Sequence, residues 1–152
     1  MRHVKDCLFI VSKVKYTLLL KSSIKAFMKV ADLIKITSGK LLTPGVDLTR
    51  EIKGGCGADL MSDVLASIQP EAVLLTGLCN PQVVRTAQMA DVAAIVFVRA
   101  KNPPQETIDL AIQEQIPLIS SPHGMFELCG RLHENGMPSL EMPVDNGPCD
   151  CD

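Results

Sequence analysis

"AVLLTGLCNP", residues 72–81, is an unbroken apolar run closed by Thr76-Gly77 and followed, after two residues, by Asn80-Pro81. A strand with one wet face alternates apolar and polar residues, whereas a run without alternation suits a parallel strand covered on both faces. Proline fits the first helical turn, where its missing N–H is not needed, and asparagine is a good cap. The same arrangement returns twice: "AAIVFV" (93–98) precedes Asn102-Pro103-Pro104, and "IPLIS" (116–120) precedes Ser121-Pro122. Behind each proline, apolar residues recur at helical spacing: Val83, Val84, Ala87 and Ala90, then Ile108, Ala111 and Ile112, then Met125, Leu128, Cys129 and Leu132. Asn135-Gly136 reads as the stop of the last helix. Three strand–helix units in succession require right-handed crossovers in a parallel sheet. The expected fold is therefore α/β, a compact parallel-sheet domain with flanking helices.

Upstream, Val30, Leu33 and Ile34 share one face of a short helix ending at Ser38-Gly39, and a short strand at 40–42 leads into the turn "TPGVD". Then comes "REIKGGCGADLMSDVL" (50–65), with Gly54, Gly55 and Gly57 directly before Asp59 and a helix whose inward face reads Leu60, Met61, Val64, Leu65 and Ile68. Two readings stand side by side. The glycines form an anion seat at a helix N-terminus, or they supply positive φ or room for close strand contact. Asp59 is expected to cap the helix, and with Asp63 it opposes an anion there.

The chain has 152 residues, 47% hydrophobic and 21% charged, enough for one domain with a sizeable core. Aromatic residues are only 3%, with no Trp, which argues against a stacking surface for single-stranded nucleic acid. Of the 15 Lys and Arg and 17 Asp and Glu, six bases and one acid fall in residues 1–27, leaving nine bases and sixteen acids for the body. An acidic body disfavours nucleic acid as a partner. The basic arm is broken by Lys13, Lys15 and Lys21, so it is no membrane span. It reads either as a start-site extension before "MKVADLIKI" or as a peripheral membrane helix. The domain is placed at 28–136, with residues 137–152, rich in proline and without periodicity, as a disordered tail. Cys7, Cys56, Cys79, Cys129, Cys149 and Cys151 form no CxxC, and they read as reduced thiols of a cytoplasmic protein. No metal site and no cofactor is expected; the "CDCD" end offers half a site at most.

A P-loop needs Gly, four residues, then Gly-Lys-Ser/Thr. Around Gly39-Lys40 the first position is Ile34 and the last is Leu41, so no kinase loop exists there. After Gly55-Cys56-Gly57 the third glycine of a dinucleotide fingerprint is replaced by Leu60. Ligands of open parallel sheets gather at the carboxyl ends of the strands. These ends offer Thr76, Gly77, Asn80, Arg99, Lys101, Ser120, Ser121 and His123, with Arg99 the best anion partner. Helix capping also accounts for the serines and Asn80, and His123 reads as a capping or exposed residue. No catalytic set can be assembled.

In "DLTREIKGGCGADLMSDVL" the chain resembles the DRTGG domain family, named for an Asp-Arg-Thr-Gly-Gly signature. Asp47, Arg50, Gly54 and Gly55 match it, while Thr49 and Lys53 depart from it; the likeness extends from about Met28 to Gly136. The resemblance implies a compact α/β domain that pairs into homodimers. Such domains stand alone, precede the catalytic domain of HPr kinase/phosphorylase, or lie between CBS domains of nucleotide-regulated pyrophosphatases. In the fused settings they are accessory, and no catalytic residue carries over. A serine-kinase label by similarity lacks the P-loop it needs. The implied function is a non-catalytic regulatory or interaction domain sensing a small anionic metabolite, a nucleotide or phosphorylated compound. The alternative is a ligand-free scaffold that docks on a partner enzyme. Candidate ligand residues are Gly54, Gly55, Gly57, Thr76, Gly77, Asn80, Arg99, Ser120 and Ser121.

Overall fold

The computed structural model describes residues 27–143. The chain runs β1 (Met28–Lys29), α1 (Val30–Ile36), β2 (Lys40–Leu41), β3 (Glu51–Ile52), β4 (Gly54–Gly57), α2 (Met61–Ser67), β5 (Ala72–Thr76), α3 (Pro81–Met89), β6 (Ala94–Phe97), α4 (Gln105–Gln113), β7 (Leu118–Ser120) and α5 (Met125–Glu134). The main sheet has the order β2-β7-β6-β5-β4, parallel from β4 to β7, with β2 antiparallel at the far edge. Register pairs Leu74 with Ile95 and Val96 with Ile119. A second, two-stranded sheet pairs Met28 with Ile52.

Both faces of the sheet are covered, which is why its central strands carry no alternation. Leu74, Ile95, Phe97 and Leu118 pack under α2, α3 and α4, while Val73, Leu75, Val96 and Ile119 pack under α1 and α5. The α/β expectation holds. Because β4 to β7 follow one another in chain order, all three crossover helices share one face. Strand order never reverses along this run, so the crevice that a reversal opens in doubly wound sheets does not form.

Several local expectations are corrected. Pro81 opens α3 as its first residue, but the Asn80 side chain makes no cap bond. Pro104 is itself the N-cap of α4. After Ser121-Pro122 the chain bends through His123, and α5 begins only at Met125. In α2, Met61 and Val64 face inward and Ile68 at its end is buried, whereas Leu60 and Leu65 are 60% and 48% exposed. A seven-residue helix lays one narrow stripe on the sheet, and Leu65 lies a residue past it. Cys129 of α5 is likewise exposed, its thiol at the edge beside Gly57 rather than in the core.

The last helix ends as its sequence indicates. Gly136 takes φ +86°, its N–H bonds the carbonyl of His133, and Met137 N–H bonds that of Leu132, which is a Schellman closure. The same left-handed closure ends α1, α3 and α4 on Ser38, Asp91 and Gln115, without glycine. Beyond Gly136 the expected tail begins differently. Residues 137–142 dock along β4: Gly55 bridges to Ser139 in parallel and Ile68 to Glu141 antiparallel. Met137 is buried in the core. The remainder of that tail and the basic arm before Phe27 lie outside the described residues. No helix among the described residues is long and apolar enough to cross a membrane.

Candidate functional site

The glycine segment, read as an anion seat before a helix or as room for close strand contact, is the edge strand β4. Its inner side pairs with β5, Gly55 opposite Val73 and Cys56 opposite Leu74. Its outer side pairs with the strap of residues 137–142. Gly55 N–H donates to the Pro138 carbonyl at 2.9 Å, the Gly55 carbonyl accepts from Leu140 N–H at 2.9 Å, and Gly57 N–H donates to Glu141 Oε1 at 3.0 Å. The outward N–H groups that an anion would use are thus committed to the chain itself.

Positive φ is not what these positions need, since the left-handed glycines among the described residues are Gly45 and Gly136. Space is the constraint. A Cβ on Gly54 would lie 2.7 Å from the Pro138 carbonyl oxygen and 2.8 Å from Leu140 Cβ. One on Gly55 would come within 3.3 Å of Met137 Sδ, and one on Gly57 within 3.2 Å of Met125 Sδ. The glycines let the strap and α5 approach the strand. Between β4, α5 and the strap lies a cavity of about 240 Å³, bordered by Leu75, Leu132, Met137 and the thiols of Cys56 and Cys129. Burial, then hydrogen bonding and repulsion from Glu141, push the Cys56 thiol up to about 12. Burial also raises Cys129.

At the carboxyl ends of the strands the candidate polar residues are held by one another. Asp59, expected to cap α2, instead accepts from Gly77 N–H at 2.6 Å and from the Thr76 hydroxyl at 3.0 Å. Lys101 Nζ donates to the Gly77 carbonyl at 2.5 Å, and Ser120 Oγ donates to the Lys101 carbonyl at 2.9 Å. Thr76, Gly77 and Ser120 are therefore brought together around Lys101. Ser121 is fully buried and donates to the Thr37 carbonyl at 2.6 Å. Asn80 stands at the start of α3 without a side-chain cap bond. His123 sits with Nδ1 3.2 Å from Glu127, and its Nε2 is buried without a partner among the described residues.

Arg99 is placed differently. It and Ala100 form the two central residues of a tight turn, at φ +59° and +51°, closed by Lys101 N–H on the Val98 carbonyl. Their own N–H groups donate to the carbonyls of His123 and Ser121. Non-glycine residues in this conformation cost about 1–2 kcal/mol each, so the surrounding bonds hold the turn in place. Its guanidinium is exposed and forms no ion pair with the described residues. Asp59 and the Lys101 ammonium are the participants that sequence reasoning missed or passed over. Asp59 follows a glycine run before a helix, and that local setting favours a cap over a reach to the next strand.

The signature residues are structural. Asp47 Oδ1 accepts from Thr49 N–H at 2.8 Å and from its hydroxyl at 2.7 Å, which lowers the Asp47 pKa. Arg50 pairs with Asp91 at 2.6 Å and ties the β3 approach to the left-handed turn after α3.

No family model and no curated protein matches the chain. Among solved structures, its fold is similar to the CBS and DRTGG domains of the regulatory region of Clostridium perfringens pyrophosphatase, complexed with the activator diadenosine tetraphosphate. The TM-score is 0.57 at 14% identity, over 76% of this chain and 51% of that one. At that identity the likeness is one of fold, and this chain spans about half the length of the structure it matches. The fold of this chain is thus an α/β arrangement similar to that of the DRTGG-containing structure, in keeping with the resemblance carried by residues 47–57.

Proposed function

We propose that the protein is a non-catalytic regulatory module of the cytoplasm that responds to a small anion, a nucleotide or phosphorylated metabolite, held at the strand ends. The observation that carries this reading is the Val98–Lys101 turn. It spends backbone strain to present an exposed arginine, without an ion pair among the described residues, in the same turn that carries Lys101 of the cluster formed with Asp59, Thr76, Gly77 and Ser120. In this reading Arg99 is the anion's main partner, Asn80 borders the seat, the buried Ser121 supports the turn through its carbonyl, which accepts from Ala100 N–H, and Gly54, Gly55 and Gly57 serve the packing of the edge. The likeness to a regulatory region that binds a nucleotide activator lends support. The module acts as a homodimer, alone or against a partner enzyme.

The full chain should show a thermal shift with one of ATP, ADP, AMP, diadenosine tetraphosphate or sugar phosphates. A ligand at 100 times its Kd adds about 2.7 kcal/mol. Arg99→Gly should raise stability by about 1 kcal/mol by relieving the left-handed turn, and it should abolish that ligand shift. An undiminished shift in Arg99→Gly removes the turn from the site.

A docking scaffold is the second reading, favoured by Phe126, which is 92% exposed on α5. Silence across the ligand panel, with a dimeric mass by light scattering that Phe126→Asp reduces to a monomer, decides for the scaffold.

A further inference from the structure

Gly55 and Gly57 lie two residues apart on β4, so the same face of the strand lacks a side chain twice, and that face looks toward α5. Cβ atoms there would point at Met137, Met125 and Cys129. The missing side chains leave the cavity of about 240 Å³ between strand and helix. Leu75, Leu132 and Met137 make its walls apolar. Among the described residues no lysine or arginine lines it; its polar side chains are His133, Ser139 and the carboxylate of Glu141, which accepts from Gly57 N–H. A phosphate would meet apolar walls, occupied N–H groups and a negative charge. An apolar body with a positive end would meet Leu75, Leu132 and Met137 with its hydrocarbon and Glu141 with its charge.

We infer that this cavity binds a small, mainly apolar amine, its hydrocarbon part against Leu75, Leu132 and Met137 and its ammonium on Glu141. The site is separate from the strand-end seat and does not rest on that reading. Met137 suits such a role because its unbranched thioether adapts to different shapes.

The test uses the full chain and three probes of similar shape: 2-phenylethylamine, ethylbenzene and 3-phenylpropionate. Calorimetric titration should give the amine at least tenfold tighter than ethylbenzene, with no binding of the carboxylate. The amine should also slow iodoacetamide alkylation of Cys129, read by peptide mass spectrometry, and leave Cys79 unchanged. Glu141→Gln should abolish the amine's advantage while ethylbenzene still binds. Cys129→Met, which plugs the cavity from an exposed helix position, should abolish binding of both and keeps the test valid if Glu141→Gln loosens the strap. Equal binding of amine and carboxylate, no binding of any probe, or amine binding that survives Cys129→Met would each overturn the inference.

Discussion

At the glycine edge, backbone is held by backbone: Pro138 and Leu140 pair with Gly55, and three positions without side chains let the strap and α5 come close. At the strand tips, backbone is held by side chains: Asp59 holds Gly77, Ser121 holds Thr37 and Ser120 holds Lys101. The two regions should therefore fail in opposite ways. An edge filled by close approach suffers when atoms are added, and a tip closed by polar side chains suffers when atoms are removed.

Gly54→Val should have the largest effect. Its nearest neighbours would be a carbonyl oxygen and a Cβ, neither of which can swing aside, so the loss belongs at the upper end of overpacking, about 3 kcal/mol in urea unfolding. Residues 137–142 should become a protease site at the same time. A change under about 0.5 kcal/mol, with the strap still protected, would mean that the close approach does not limit the edge.

Ser121→Ala comes next. It removes a buried hydroxyl and leaves the Thr37 carbonyl and the His123 N–H short of a partner, at a cost of about 1–2 kcal/mol. A neutral result would show that the tips are held by packing, and the contrast would collapse. Gly130→Ala sharpens the comparison from the other side. A Cβ there meets nothing within 4 Å and the position is helical, so the variant should gain about 0.5–1 kcal/mol.

A separate probe is pH. The Cys56 thiol lies at about 12 in the folded chain against an ordinary 9.0. Above pH 9 the unfolded chain releases this proton and the folded chain keeps it, so stability falls with rising pH from about 9 toward 12. Cys56→Ala should flatten that part of the stability curve, measured by urea midpoints at stepped pH. An unchanged slope would place the thiol outside the buried edge.

Much of the frame can be read from neighbouring residues alone. Continuous apolar runs at 72–75 and 93–98 signal strands covered on both faces, and Val83, Val84 and Ala87 mark the face that α3 buries. Asn135-Gly136 marks a helix end because only glycine enters the left-handed region without strain. Ser38, Asp91 and Gln115 close helices in the same geometry without that signal, held by bonds to the preceding turn. The candidate site was less legible. Thr76, Gly77 and Ser120 do meet, but through Asp59 and Lys101, and whether a hydroxyl is already satisfied depends on its partner rather than on itself.

By itself the sequence determined the α/β class of fold, the three strand–helix units from residue 72 onward, the lack of a P-loop motif and the face that α3 buries. These depend on periodicity and on end chemistry, which act over a few residues. Tertiary structure decided that the glycines form an edge strand, that residues 137–142 cover it, that Asp59 turns to the next strand and that a cavity remains beside Gly55 and Gly57. Each of these rests on pairing between distant parts of the chain. Gly55 meets Ser139 only after every crossover between them has been made, and a short proline-containing segment carries no local pattern that announces its partner.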